Sequence, residues 1–472
     1  MNAFVQAIQN QESRTSNGMK ARKSTASACV DLFYTVGASR GKNIIPGFTA
    51  AYVADKNLAL RIALWARDAR GGAGERQLFR DILTHLEKTD LDAAKAMLNK
   101  IPELGRWDDI FIFETKEMKE VAYTMLGDAL RAGNGLAAKW CPRKGQIARE
   151  VREYFGMSPK TYRKSLVALT KVVETQMCAQ DWDEINFNHV PSLASARYKK
   201  AFFRHTPKFA EYVNALVKGD PSVKVNAGAV FPYDVLKGIN SYGNHYSETE
   251  LNHIVAQWNA LPNYVGDANI LPLVDVSGSM GCPVGGWGSK NTTTCLDIAV
   301  SLGLYLADKN SGKFKDTFVT FSTSPELMTL QGNVIQKMDQ MVKSKWNMST
   351  NLHAAFDKIL SVAINYGVPQ AEMPEMLLIL SDMQFDECIN FDDSAMQMIE
   401  RKYSASGYTV PQIVFWNLNS ADNVPVKADK SGAALVSGFS PAIVKALLSA
   451  DMSEFTPENI MLKTVMAERY AV

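Results

Sequence analysis

The segment Asn269–Met280, NILPLVDVSGSM, restricts the possible folds of this chain more than any other. Its apolar run from Ile270 to Val274 shows no polar alternation, so as a strand it must be covered on both faces, as central parallel strands are. The run ends in Asp275-Val276-Ser277-Gly278-Ser279, one carboxylate and two hydroxyls at alternate positions. Oxygen donors there suit a hard divalent cation, and the carboxyl ends of parallel strands are where open α/β sheets hold ligands.

Three oxygens do not fill a coordination sphere, because Mg2+ takes a near-octahedral set. Two later positions fit. Thr350 lies in the turn Asn347-Met348-Ser349-Thr350-Asn351 ahead of an apolar-periodic helix, and Asp382 follows the run Met376 to Leu380, as Asp275 follows its own strand. His353, three residues past Thr350, is read as a helix-surface histidine.

The rest of the chain falls into two textures. From about 43 to 262 helical periodicity dominates, with Leu58, Ile62, Trp65 and Ala66 on one face and Leu78, Ile82, Leu83 and Leu86 on another. Glycine corners at 71–74 and 133–135 separate helical pairs, which predicts a HEAT-like α-helical array that buries its core by stacking neighbours. From 263 to 455 strands alternate with helices: 270–275, 314–321, 376–381, 412–416 and 433–436 are the expected strands. That alternation predicts an α/β doubly wound, Rossmann-like parallel sheet. Residues 1–42 form an N-terminal arm, and 456–472 a closing helix that begins at a Thr-Pro-Glu cap and packs back on the helical half.

Asp275, Ser277 and Ser279, followed by Thr350 and then Asp382 at further strand ends, resemble the metal-ion-dependent adhesion site (MIDAS) of a von Willebrand factor A (vWA) domain. The resemblance implies that these five residues hold Mg2+, or Mn2+ or Ca2+, directly or through water. It also implies that an acidic group of a partner fills the metal's open position. The chain departs from the pattern in a Gly-rich insertion at 281–288, which postpones the helix expected at once and would either lie over the metal or leave the site rearranged.

The helical half carries further motifs: Arg67-Asp68-Ala69-Arg70-Gly71-Gly72-Ala73-Gly74-Glu75-Arg76, Gly105-Arg106-Trp107-Asp108-Asp109, Lys139-Trp140-Cys141-Pro142-Arg143-Lys144, Tyr162-Arg163-Lys164 and Val190-Pro191-Ser192. In this order they resemble an uncharacterised family of vWA-bearing proteins of bacteria, phages and plants. That family is itself similar to the TROVE proteins, which include the Ro ribonucleoprotein autoantigen. The resemblance implies a ring or arch of helical repeats closed by the vWA domain, binding structured small RNAs outside and single-stranded RNA ends within.

Charge supports that expectation locally. The chain carries +2, yet 139–208 holds fourteen basic and six acidic residues. Such an excess is the footprint of a phosphate-binding surface. The expected RNA contacts are Arg70, Arg76, Lys139, Arg143, Lys144, Arg149, Arg152, Arg163, Lys164, Lys199, Lys200 and Arg204. Trp140, Tyr154, Phe155, Tyr162, Tyr198, Phe202 and Phe203 are interleaved with them, either to stack unpaired bases or as core. Gly71 to Gly74 reads first as a tight interhelical corner and second as a phosphate contact, with Glu75 in the first turn of the next helix.

No HExxH, GxSxG, Walker or CxxC pattern occurs, so a non-catalytic protein is expected. Six dispersed cysteines read as reduced thiols of a cytoplasmic protein, or of a phage particle if the gene is viral, and neither a signal peptide nor a membrane span is visible. Two functions are therefore expected as alternatives. One is Ro-like RNA binding, and the other is metal-dependent protein–protein contact or a structural part of a larger assembly without RNA.

Overall fold

Local chemistry sets the helices. In Lys56–Arg67 the Asp55 carboxylate caps Leu58 N–H at 2.9 Å, and Ile62, Trp65 and Ala66 are buried on the predicted face. Gln77–Thr89 likewise buries Leu78, Ile82, Leu83 and Leu86. The computed structural model describes residues 12–472 apart from 171, 238, 240–245, 286–291, 322–323, 344–349, 388–391 and 420–422. Outside the described residues therefore lie positions 1–11 of the arm, Lys171, His245, residues 286–288 of the Gly-rich insertion, Asn347 to Ser349 and Cys388.

A helical region is followed by a six-stranded mixed sheet. The helices extend from Ala28–Val36 to Glu248–Asn259. The strands are β3 (Ile270–Asp275), β4 (Thr317–Phe321), β5 (Glu326–Thr329), β6 (Met376–Ser381), β7 (Gln412–Asn417) and β8 (Ala433–Ser437), after a short N-terminal hairpin of β1 (Glu12–Arg14) and β2 (Lys20–Arg22). Their order across the sheet is β5-β4-β3-β6-β7-β8, with every pair parallel except β4 and β5. The direction of winding therefore reverses between β3 and β6, where a doubly wound sheet opens its ligand crevice. Every residue of β3 and of β6 is buried, as an apolar run in a covered parallel sheet requires.

Two elements differ from expectation. The second sheet strand starts at Thr317, because Phe314 to Asp316 form a turn and Asp316 adopts φ +58°. Residues 326–329 add an antiparallel edge strand whose exposure alternates, a short half-buried pattern easily lost in a sequence.

Both ends of the chain pack onto the rest. The N-terminal hairpin crosses the loop after β6: Thr15 Oγ1 donates to Phe385 O at 2.6 Å, and Glu387 N–H donates to Asn17 O at 3.0 Å. Ser437 Oγ at the end of β8 donates to Phe33 O and accepts from Gly37 N–H, fastening the helix Ala28–Val36 to the sheet. At the other end the Thr456 cap forms as expected, but the helix stops at Val465 and a further turn, Glu468–Tyr470, reaches the helical half. There Tyr470 Oη donates to the buried Asp68 carboxylate at 2.8 Å, and Arg469 pairs with the same group.

One continuous apolar core runs through most helices and the sheet. A smaller second core gathers Val173, Ile185, Phe187, Val190, Phe202, Phe209 and Val213.

Candidate metal centre and basic face

β3 delivers Asp275 to the crevice, and β6 delivers Ser381 and Asp382 beside it. Asp275 is fully buried: one carboxylate oxygen accepts from Ser277 N–H at 2.9 Å, the other from Ser381 Oγ at 2.5 Å. The turn Gly278–Gly281 carries Ser279, whose hydroxyl lies 3.1 Å from that of Ser277 and offsets part of the rise in the Asp382 pKa. Asp382 is 3% exposed and accepts from Gln384 N–H at 3.2 Å. Thr350 is buried, and its carbonyl accepts from Asp386 N–H at 3.1 Å, which ties it to the loop that follows Asp382.

Burial raises the Asp275 carboxyl above its usual range, and the neighbouring Asp382 raises it further. Burial raises Asp382 as well. Two buried carboxylates at one point carry excess negative charge, which the charge of the exposed Lys42, in the loop after the helix Ala28–Val36, offsets in part at Asp382. The two carboxylates with the hydroxyls of Ser277 and Ser279 offer the oxygen donors a hard divalent ion takes, and Thr350 joins them through the backbone of the same loop. Among the described residues no three His, Cys, Asp or Glu side chains gather into a metal-holding group, so the fit rests on hydroxyls as much as on carboxylates. Met383 takes φ +63°, a left-handed conformation costly for a long side chain, with its N–H held by Ser381 Oγ at 3.0 Å. Strain of this kind collects at functional sites.

Ser381, Lys42 and Met383 were not evident in the sequence. Ser381 directly precedes Asp382, so a hydroxyl one residue before the second aspartate was the available signal; the charge of Lys42 acts on Asp382 only because the fold brings the two segments near each other. His353 is on the helix surface, 3.0 Å from Asp357, as expected.

The Gly-rich corner is a tight turn. The N–H groups of Gly72, Ala73, Gly74 and Glu75 all bond carbonyls of Trp65, Ala66 and Asp68, so none faces a phosphate. A Cβ on Gly72 would lie 1.9 Å from Trp65 O. Glu75 is not in the first turn of the next helix, which starts at Gln77; it is buried and paired by both of its oxygens with Arg40. That ion pair, rather than a helix dipole, explains an acid at this position.

The basic residues form a partly continuous face. Arg80 and Arg106 share the Asp108 carboxylate, and partial burial with the charges of Arg106 and Arg80 lowers the pKa of Arg76. Arg106 in turn lies over the Trp140 ring at 3.7 Å, beside Lys139. Arg143 bonds Lys139 O and Thr170, while Lys139 lies 3.8 Å from Glu174. Arg149 is paired along its helix with Glu153, which reduces its charge for other work. Arg70, Lys144, Arg163, Lys164, Lys200 and Arg204 are exposed; Arg152 and Lys199 are half-buried. Tyr162 and Phe202 belong to the two cores and are not open to bases, whereas Tyr154 is half-exposed. Helical spacing in those two cases reflects packing.

Residues 269–469 match the family described as domain of unknown function DUF7788, and residues 143–269 match domain of unknown function DUF2828. The two matches meet at Asn269. That residue directly precedes β3, so the seam separates helices from sheet. A curated relative, "Uncharacterized protein L728" of Acanthamoeba polyphaga mimivirus, is 29% identical over 514 residues, covering 95% of this chain and 86% of its own. Among solved structures, the crystal structure of Deinococcus radiodurans RO (RSR) protein aligns over 94% of this chain and 100% of its own at 12% identity and TM-score 0.47, too loose a superposition to carry an argument. Among the described residues no helix is long and apolar enough to cross a membrane.

Proposed function

We propose that this chain is a non-catalytic, Ro-like binding protein in which a vWA domain at 263–455 holds a divalent cation, Mg2+ above Mn2+ or Ca2+, and a helical arch at 43–262 binds RNA. Asp275, Ser277, Ser279, Thr350 and Asp382 hold the ion. The observation that carries this reading is the pair of buried carboxylates at the winding reversal of the sheet, bracketed by hydroxyls. When bound, the ion supplies positive charge that attracts an acidic group. The chain's own residues orient it: Ser381 Oγ holds the Asp275 carboxylate, and Gln384 N–H holds that of Asp382.

RNA binding is supported by the contact of Arg106 with Trp140, which joins the basic corner at Arg76 to Lys139. A protein partner whose Asp or Glu reaches the metal is the second reading, favoured by the exposure of Ser279, which opens one side of the site to solvent. One experiment separates the two. Arg143→Glu with Lys144→Glu abolishes single-strand RNA binding while Asp275→Ala leaves it intact if RNA is the ligand of the helical half. Loss of a protein partner in EDTA, with no RNA bound at low salt, supports the second reading instead.

A further inference from the structure

Beside the metal centre, Cys282 and Cys295 face each other across a short antiparallel bridge between Pro283 and Thr294. Cys295 N–H donates to Cys282 O at 3.1 Å, and Val284 N–H donates to Thr293 O at 2.9 Å, so the two cysteines occupy directly opposed positions. Opposed antiparallel residues have Cα atoms roughly 5.5 Å apart when hydrogen-bonded. That spacing lies inside the roughly 4.4–6.8 Å that a disulfide spans. Their sulfurs are 3.5 Å apart. Side-chain rotation therefore suffices to bond them.

We infer that Cys282 and Cys295 form a modification site, a thiol pair that a hydroperoxide closes into a reversible disulfide. The surroundings assign the roles. Cys282 is partly exposed and its sulfur accepts from Asn419 Nδ2 at 3.5 Å, whereas Cys295 is buried with its thiol directed to Leu418 O at 3.8 Å. Cys282 is thus the sulfur an oxidant reaches. Its thiolate attacks the peroxide, the O–O bond breaks, and water or an alcohol leaves, giving a sulfenic acid. The Cys295 sulfur then attacks that sulfur, the S–O bond breaks, and a second water carries off the hydroxyl and the Cys295 proton. Two thiols are oxidised and one peroxide is reduced.

The cross-link has a place to act. Cys282 N–H donates to Ser279 O at 3.2 Å, and Cys295 opens the helix Cys295–Lys309. Oxidation ties the Ser279 turn to that helix. The other described thiols lack this arrangement: Cys29 bonds a carbonyl, Cys141 contacts Tyr162, and Cys178 is exposed. The inference stands independently of metal binding.

The test uses the full reduced chain, treated with hydrogen peroxide until the exposed Cys178 is oxidised, then alkylated, digested and mapped by mass spectrometry. The expected result is a linked Cys282–Cys295 peptide that dithiothreitol reverses, and dimedone labelling of Cys282 in the Cys295→Ser variant. Persistence of both thiols in alkylatable form once Cys178 is oxidised, or conversion of wild-type Cys282 to sulfinic acid without a link, overturns the assignment.

Discussion

Ser381 Oγ donates a 2.5 Å hydrogen bond to the Asp275 carboxylate from the adjacent strand, while its oxygen accepts from the strained Met383 N–H. One hydroxyl therefore orients a candidate metal ligand and secures the loop that carries the other carboxylate. Groups that support ligands in this way typically change metal affinity by about 10- to 100-fold. Ser381→Ala is expected to weaken Mg2+ binding by about that factor, read from the Mg2+ concentration needed to raise Tm. An unchanged concentration dependence would remove Ser381 from the site.

The sheet approaches the helix Cys295–Lys309 closely at Gly303, where an added Cβ would meet Val274 Cγ2 at 2.4 Å. Val274 directly precedes Asp275 on a fully buried strand, so the backbone has little room to yield. Gly303→Ala should destabilise the protein by about 1–3 kcal/mol, the usual cost of overpacking, measured by urea denaturation. A neutral substitution would mean that the helix shifts freely against β3.

His253 is buried with Nε2 2.9 Å from Ser195 Oγ, and burial, with the charge of Lys199, lowers its pKa to about 4. The folded value lies below that of the unfolded chain, about 6.5, so the unfolded state takes up the proton first. This contribution is complete above about pH 6.5 and is lost as pH falls toward about 4, by an amount on the order of 3 kcal/mol. In His253→Gln the slope of stability between those pH values should flatten. An equal slope in both proteins would refute the neutral, buried histidine.

Much of the sheet domain was legible in the sequence because its cues are local. β3 and β6 are uninterrupted apolar runs with an aspartate at or just after the end, and Asn351 caps the helix after Thr350 through its bond to Ala354 N–H. The parts that were not legible depend on distant partners. Glu75 looks like a first-turn acid until Arg40 reaches it, and the N-terminal hairpin shows no strand pattern until it docks against Phe385. Phe202 and Tyr162 have the spacing of either a stacking face or a core, and only packing decides between them.

Arg106 lies over Trp140 and is also paired with Asp108, so its charge and its plane are separable. Arg106→Lys keeps the charge but loses the flat stacking surface. It should weaken binding of single-stranded RNA several-fold with little change in the salt slope, whereas Lys144→Glu should reduce that slope. Equal effects of both substitutions on the slope would mean that Arg106 acts only as a charge.

The most direct measurement is calorimetric titration of Mg2+ into EDTA-stripped protein, paired with thermal unfolding, for wild type and Asp275→Asn. One bound ion and a rise in Tm that grows with Mg2+ concentration are expected in wild type, since an ion at about 100 times its Kd adds about 2.7 kcal/mol. Asp275→Asn, which removes one buried charge, should bind weakly or not at all while remaining folded without the ion. No saturable binding in wild type, or equal binding in both proteins, would contradict a metal centre at Asp275.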